Sequence, residues 1–65
     1  MKREELIVGH LYGDKDRVEC GLYKGTYGAG TLSEFEKVEF DENGVVATED
    51  NIILTEMELK HWVEY

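Results

Sequence analysis

Asn43-Gly44 sits between two segments of largely alternating apolar and polar residues, Val38-Glu39-Phe40-Asp41 before it and Val45-Val46-Ala47-Thr48 after it. An Asn-Gly pair so flanked is the strongest short-range signal for a β-hairpin, because both residues tolerate the left-handed backbone of a tight turn. A lone hairpin is marginal in water, so this feature commits the chain to a larger antiparallel sheet. Its register follows from matching faces. A two-residue Asn43-Gly44 loop would set Phe40 against Ala47 and Val38 against Glu49, placing a charge opposite a core position. A three-residue loop, Glu42-Asn43-Gly44, sets Phe40 against Val46 and Val38 against Thr48. It keeps one face apolar, so it is the expected register, with Phe40 in the core.

Other extended segments surround the hairpin. Leu6-Ile7-Val8-Gly9-His10-Leu11-Tyr12 is short, apolar and ended by Gly13, as a buried strand would be. After a polar turn at Gly13-Asp14-Lys15-Asp16, Val18, Cys20 and Leu22 alternate with Glu19, Gly21 and Tyr23, predicting a half-buried strand paired to the first. Gly25-Thr26-Tyr27-Gly28-Ala29-Gly30 holds three glycines in six residues, which marks a turn, a bulge or a sharply bent strand. Pairing resumes at Thr31-Leu32. Ser33-Glu34-Phe35-Glu36 has the form of a capping box, enough for one helical turn at most. Asn51-Ile52-Ile53-Leu54 reads as another strand. Thr55-Glu56-Met57-Glu58 is expected to cap a helical turn near 55–59 with a final strand after it; read as strand throughout, the segment sets Met57, Leu59, Val63 and Tyr65 on one face with His61, opposite Glu58, Lys60, Trp62 and Glu64. A helix over 56–64 carrying Leu59, Trp62 and Val63 on one stripe is the alternative.

From Val18 onward this arrangement resembles small SH3-like barrels of the KOW and Tudor kind. The residues that carry the likeness are Val18-Glu19-Cys20, the Gly25–Leu32 stretch, Val38-Glu39-Phe40-Asp41 with Asn43-Gly44, Ile53-Leu54, and Glu58-Leu59 before the last strand. The resemblance implies a five-stranded barrel that binds and does not catalyse. The expected fold is therefore mostly β: a small SH3-like barrel of five to six strands, or a strongly bent antiparallel sheet, with a short helical turn near the C-terminus. An α+β arrangement with a C-terminal helix on the sheet is the alternative. All 65 residues, without proline, repeat or linker, belong to one domain.

A chain this short buries only about 60% of the surface its unfolded form exposes. Cys20 is the only cysteine, so no internal disulfide can compensate. His10, His61 and Cys20 lack the paired spacing of a zinc site, and no cofactor is expected. Stability must come from packing, self-association or a partner. A single free thiol and an apolar run of only Leu6-Ile7-Val8 predict a cytoplasmic protein with no membrane span.

Charge is unevenly placed. Residues 1–32 hold five bases and five acids, whereas residues 33–65 hold two bases and ten acids, which supplies the whole net charge of −8. Such a field repels nucleic acid and membrane phosphates and attracts basic protein surfaces. Nucleic-acid-binding barrels of the resembled kind are usually basic, a pattern from which this chain departs.

The G-x-x-G-x-G order at Gly25–Gly30 is not the dinucleotide fingerprint, and plain bend glycines are the expectation. Cys20 with either histidine is the one nucleophile–base combination, and it lacks an orienting third group. Cys20 reads as a buried inert thiol, and the protein is not expected to be an enzyme. Carboxylates two residues apart on an extended chain lie about 6.6 Å apart and point the same way. Glu34/Glu36, Glu39/Asp41 and Glu56/Glu58 have that spacing, and Glu42, Glu49 and Asp50 add to the same half. These residues, with Tyr23, Tyr27 and Trp62 as surface anchors, form the expected partner-binding set. The leading expectation is a module whose acidic second half docks on a basic protein surface. Its sharpest form is a phosphate-mimicking inhibitor of a nucleic-acid enzyme, of the sort mobile elements encode. The alternatives are a small assembly subunit that homo-oligomerises and a small-ligand binder using the Gly25–Gly30 loop.

Overall fold

The computed structural model describes residues 1–16 and 18–65. After a 3₁₀ turn over Arg3–Glu5 come strands β1 (Leu11–Asp14), β2 (Cys20–Tyr27), β3 (Leu32–Asp41) and β4 (Gly44–Leu54). A short helix α1 (Glu56–Leu59) and a last strand β5 (Trp62–Glu64) complete the chain. All pairs are antiparallel, in the order β4-β3-β2-β1-β5. Four strands thus meander and the fifth returns to the first across a helical turn, the mostly β architecture expected. The helical turn is confined to Glu56–Leu59, so the longer helix over 56–64 does not form.

The sheet curls. Every strand and α1 contributes to one cluster: Tyr12 from β1, Tyr23 from β2, Phe35 from β3, Leu54 from β4, Leu59 from α1 and Trp62 from β5. Met1, Leu6 and Ile52 pack around it. Four rings meet there, with centroids 6.1 Å apart for Tyr12–Phe35, 5.4 Å for Tyr23–Phe35 and 4.9 Å for Phe35–Trp62. Full burial of side chains this large contributes about 1.5–3 kcal/mol each. Tilted and edge-on ring pairs add about 0.5–1.5 kcal/mol.

Gly21 makes this packing possible. A Cβ there would come within 2.7 Å of the Glu36 carbonyl oxygen and 2.9 Å of Phe35 Cβ. Opposite the main core, a smaller cluster covers the second face of the sheet. Cys20 and Val38 are buried there, and the Tyr65 ring lies over Gly13, its hydroxyl donating to the Asp14 carbonyl.

Several expectations are corrected. Leu6–His10 is a turn, held by the His10 N–H on the Ile7 carbonyl and the Ile7 N–H on the Tyr12 hydroxyl, with Gly9 at φ +89°. It leaves Ile7 and Val8 exposed, and the first strand starts only at Leu11. Val18 is 78% exposed, because Asp14 accepts the Val18 and Glu19 N–H groups and closes the β1–β2 connection as a loop. In β2 the main core takes Gly21 and Tyr23, the phase opposite to the one expected, while Cys20 faces the second cluster. Ser33-Glu34-Phe35-Glu36 lies within β3 and caps nothing, since pairing on both sides continues through it. Phe40 is 56% exposed, outside the core.

The glycine stretch behaves as a bend. Gly25, at φ +132°, takes up a register shift in β2, and Gly28 and Gly30, both at positive φ, form the turn into β3. Pairing resumes at Tyr27↔Leu32. The β3–β4 hairpin exists, but Phe40 faces Val45 and Val38 faces Ala47, around a two-residue Glu42-Asn43 turn. The Asp41 carboxylate accepts the Asn43 N–H at 2.7 Å and holds that turn. Further along, Lys37 alone of β3 faces Thr48, Glu49 and Asp50 of β4. This bulge, with Glu49 at φ +70° and Thr48 Oγ1 donating to the Lys37 carbonyl, resets the register that face matching could not foresee.

Candidate docking surface

The acidic residues divide into three groups. β2 pairs with β3 only as far as Lys37, so beyond that point β3 and β4 continue as a two-stranded arm. Glu39, Asp41 and Glu42 lie on the arm, Glu49 and Asp50 lie on the bulge at its base, and all five are exposed. Glu34 and Glu36 stand half-buried in the body of the sheet, opposite Gly25 and Leu22 on one side and Ile53 and Asn51 on the other. Glu56 and Glu58 belong to α1.

These groups do not form one ladder. The extra residues near Lys37 lie on β4, so alternation along β3 runs without interruption. Glu34 and Glu36 therefore share the face of Val38 and Phe40, and Glu39 and Asp41 share the other. In α1, residues two apart point in different directions, so Glu56 and Glu58 are not a pair either. Glu56 Oε1 lies 3.5 Å from the Arg3 guanidinium. Glu58 closes a capping box, accepting the Thr55 N–H at 3.0 Å while its own N–H donates to Thr55 Oγ1. The carboxylate also accepts the Thr55 hydroxyl at 3.0 Å, and the bonds from the Thr55 backbone first and its hydroxyl second hold the Glu58 carboxyl below its ordinary value.

Of the three aromatic anchors, only Tyr27 remains at the surface, half exposed at the end of β2. Tyr23 and Trp62 are buried in the main core and cannot anchor a partner. Their strands run out of phase with the apolar pattern because the sheet is covered on both faces. What sequence reading missed is the apolar face of the arm. Phe40, Val45 and Ala47 share that face, and Phe40 and Val45 are 56% and 47% exposed. The signal available was the Val45-Val46-Ala47 run, which breaks strict alternation. Val46, 45% exposed, lies on the other face opposite Glu39.

Across the chain from Val38 to Leu59 there is no lysine, arginine or histidine, against seven acids: Glu39, Asp41, Glu42, Glu49, Asp50, Glu56 and Glu58. Beyond Lys37, which lies opposite Glu49 and Asp50 at its base, the arm carries Glu39, Asp41 and Glu42 and no base.

Elsewhere an open groove of about 330 Å³ lies between Met1, Lys2, Arg3, Glu4, Glu56 and Lys60, where three basic side chains stand beside two acidic ones. A second, shallower one is bounded by Arg3, Thr31, Leu32, Thr55, Glu56 and Met57. Neither is lined by the Gly25–Gly30 loop. Cys20 is buried beside Val38, its thiol raised above its ordinary value by burial and then by the Asp14 charge, with Lys37 opposing. Among the described residues no group of three or more His, Cys, Asp or Glu side chains is arranged to hold a metal ion. No helix among them is long and apolar enough to cross a membrane. Comparison with family models, curated proteins and solved structures gives no match to this chain.

Proposed function

We propose that this protein is a binding module, without catalysis of its own, whose β3–β4 arm docks on a basic surface of a partner protein. The observation that carries this reading is the arm itself. Five exposed carboxylates gather on and beside a projecting two-stranded ribbon, in a 22-residue stretch from Val38 to Leu59 that contains no base. Solubility alone does not call for charge concentrated on one projection. A basic partner gains from it through steering at long range and pairing at short range. In its sharper form the Glu39/Asp41 pair stands in for backbone phosphates and blocks a nucleic-acid-binding groove.

The test is capture of partners from the source cell by the tagged full chain, at low and high salt, beside a Glu39→Lys/Asp41→Lys variant. Both positions are exposed, but Asp41 also holds the turn through the Asn43 N–H, so the variant is compared only after its circular dichroism spectrum is shown to match the wild type. A partner that is lost at high salt and lost on the double reversal supports the reading. Retention of every captured partner by the reversed variant overturns it.

A further inference from the structure

We propose that Gly44–Thr48 of β4 is a strand-addition edge, which takes an extended segment of a partner protein in which apolar and basic residues alternate. This rests on the acidic-docking reading above and specifies how the docking is made. β4 is an edge strand paired to β3 alone. Past Lys37 that pair has no third strand beside it, and a bare two-stranded ribbon is marginal in water. An edge of this kind is a template for a further strand.

The two faces of the arm define what the added strand carries. One face presents Phe40, Val45 and Ala47, and the other presents Glu39, Asp41 and Val46. Side chains of a strand laid against β4 fall alternately on these faces. Those beside Val45 and Ala47 meet an apolar stripe, so apolar residues fit there. Those beside Val46 meet the acidic face, where a lysine or arginine reaches over Val46 toward Glu39. The run ends at the bulge, because Glu49 at φ +70° turns the backbone off the ladder. A second copy of this chain is the poorer occupant. It would bring an arm of the same sign against the first, in a protein of net charge −8.

The experiment uses the full ¹⁵N-labelled chain and two probes: a synthetic octapeptide of alternating valine and lysine, and the same peptide N-methylated at its four central residues. Methylation keeps the charge and removes the backbone donors of both peptide edges. Amide shifts and slowed amide exchange confined to residues 44–48, with binding weakened at least about tenfold by methylation, are the expected result. Equal binding of both peptides would show attraction without strand addition, which overturns this proposal and leaves the acidic-docking reading standing. Failure of both to bind at low salt overturns the two together. A free protein that is already dimeric, with the amides of 44–48 protected, assigns the edge to a second copy and also overturns the proposal.

Discussion

The ring of Trp62 on the last strand lies 4.9 Å from that of Phe35 on the third, although two strands separate β5 from β3 in the sheet. Only a curled sheet brings them together, so this contact reports closure of the fold. Truncation of either ring by Trp62→Ala or Phe35→Ala is expected to cost about 3–5 kcal/mol. Domains of this size have roughly 3–10 kcal/mol in all, so these variants should be largely unfolded at 37 °C. Urea denaturation followed by circular dichroism measures both. A loss below about 1 kcal/mol for either would contradict the packing described.

Gly21 and Gly28 make a matched pair of alanine substitutions. At Gly21 the new Cβ collides with backbone and with Phe35, while at Gly28, φ +67°, it enters open space and suffers only backbone strain. Gly21→Ala is expected to destabilise by more than about 2 kcal/mol, and Gly28→Ala by about 1 kcal/mol. Thermal melts of the two variants under identical conditions test the ranking.

Phe40→Ser should change stability by no more than about 1 kcal/mol, because the ring it removes is mostly in solvent. A large loss in chemical denaturation would mean that Phe40 is a core residue after all.

Cys20 should resist thiol reagents in the native state. Burial and the nearby Asp14 carboxylate raise its thiol above the ordinary 9.0. With a raised value in the folded state, its contribution to stability is intact below 9.0 and is lost as pH rises through the folded value. At pH 8 a colorimetric thiol reagent should label the native protein at least about tenfold more slowly than the urea-unfolded chain.

Thr55→Ala removes the cap of α1 and is expected to cost about 1 kcal/mol. It should also return Glu58 toward its ordinary value of 4.5. In the native protein the lowered carboxyl contributes stability that is fully present above 4.5 and is lost as pH falls through the folded value. Carboxyl-carbon NMR titration of both proteins reads the shift directly.

Sequence and structure agree where the determining chemistry is local. The glycine bend at 25–30 and the helical turn before a final strand depend on neighbours within about four residues and form as read, and the hairpin forms at the expected place but on a two-residue Glu42-Asn43 turn in place of the three-residue loop. The capping motif of Thr55 succeeds and that of Ser33 fails for a reason outside the motif: Ser33 is flanked by β2 and β4, whose ladders hold it extended.

By itself, the sequence settled the class of fold, the order of extended segments, and the concentration of acid charge after residue 32. Alternation along a strand defines two faces without saying which one is buried. Here the sheet curls around Phe35 and is also covered behind Cys20 and Val38. Only the tertiary structure could therefore place Tyr23 and Trp62 inside, leave Phe40 outside, and divide the carboxylates between a projecting arm, the sheet and a helix cap. The physical reason is that each of those outcomes depends on contacts between strands distant in sequence, and on a bulge at Glu49 that shifts the register.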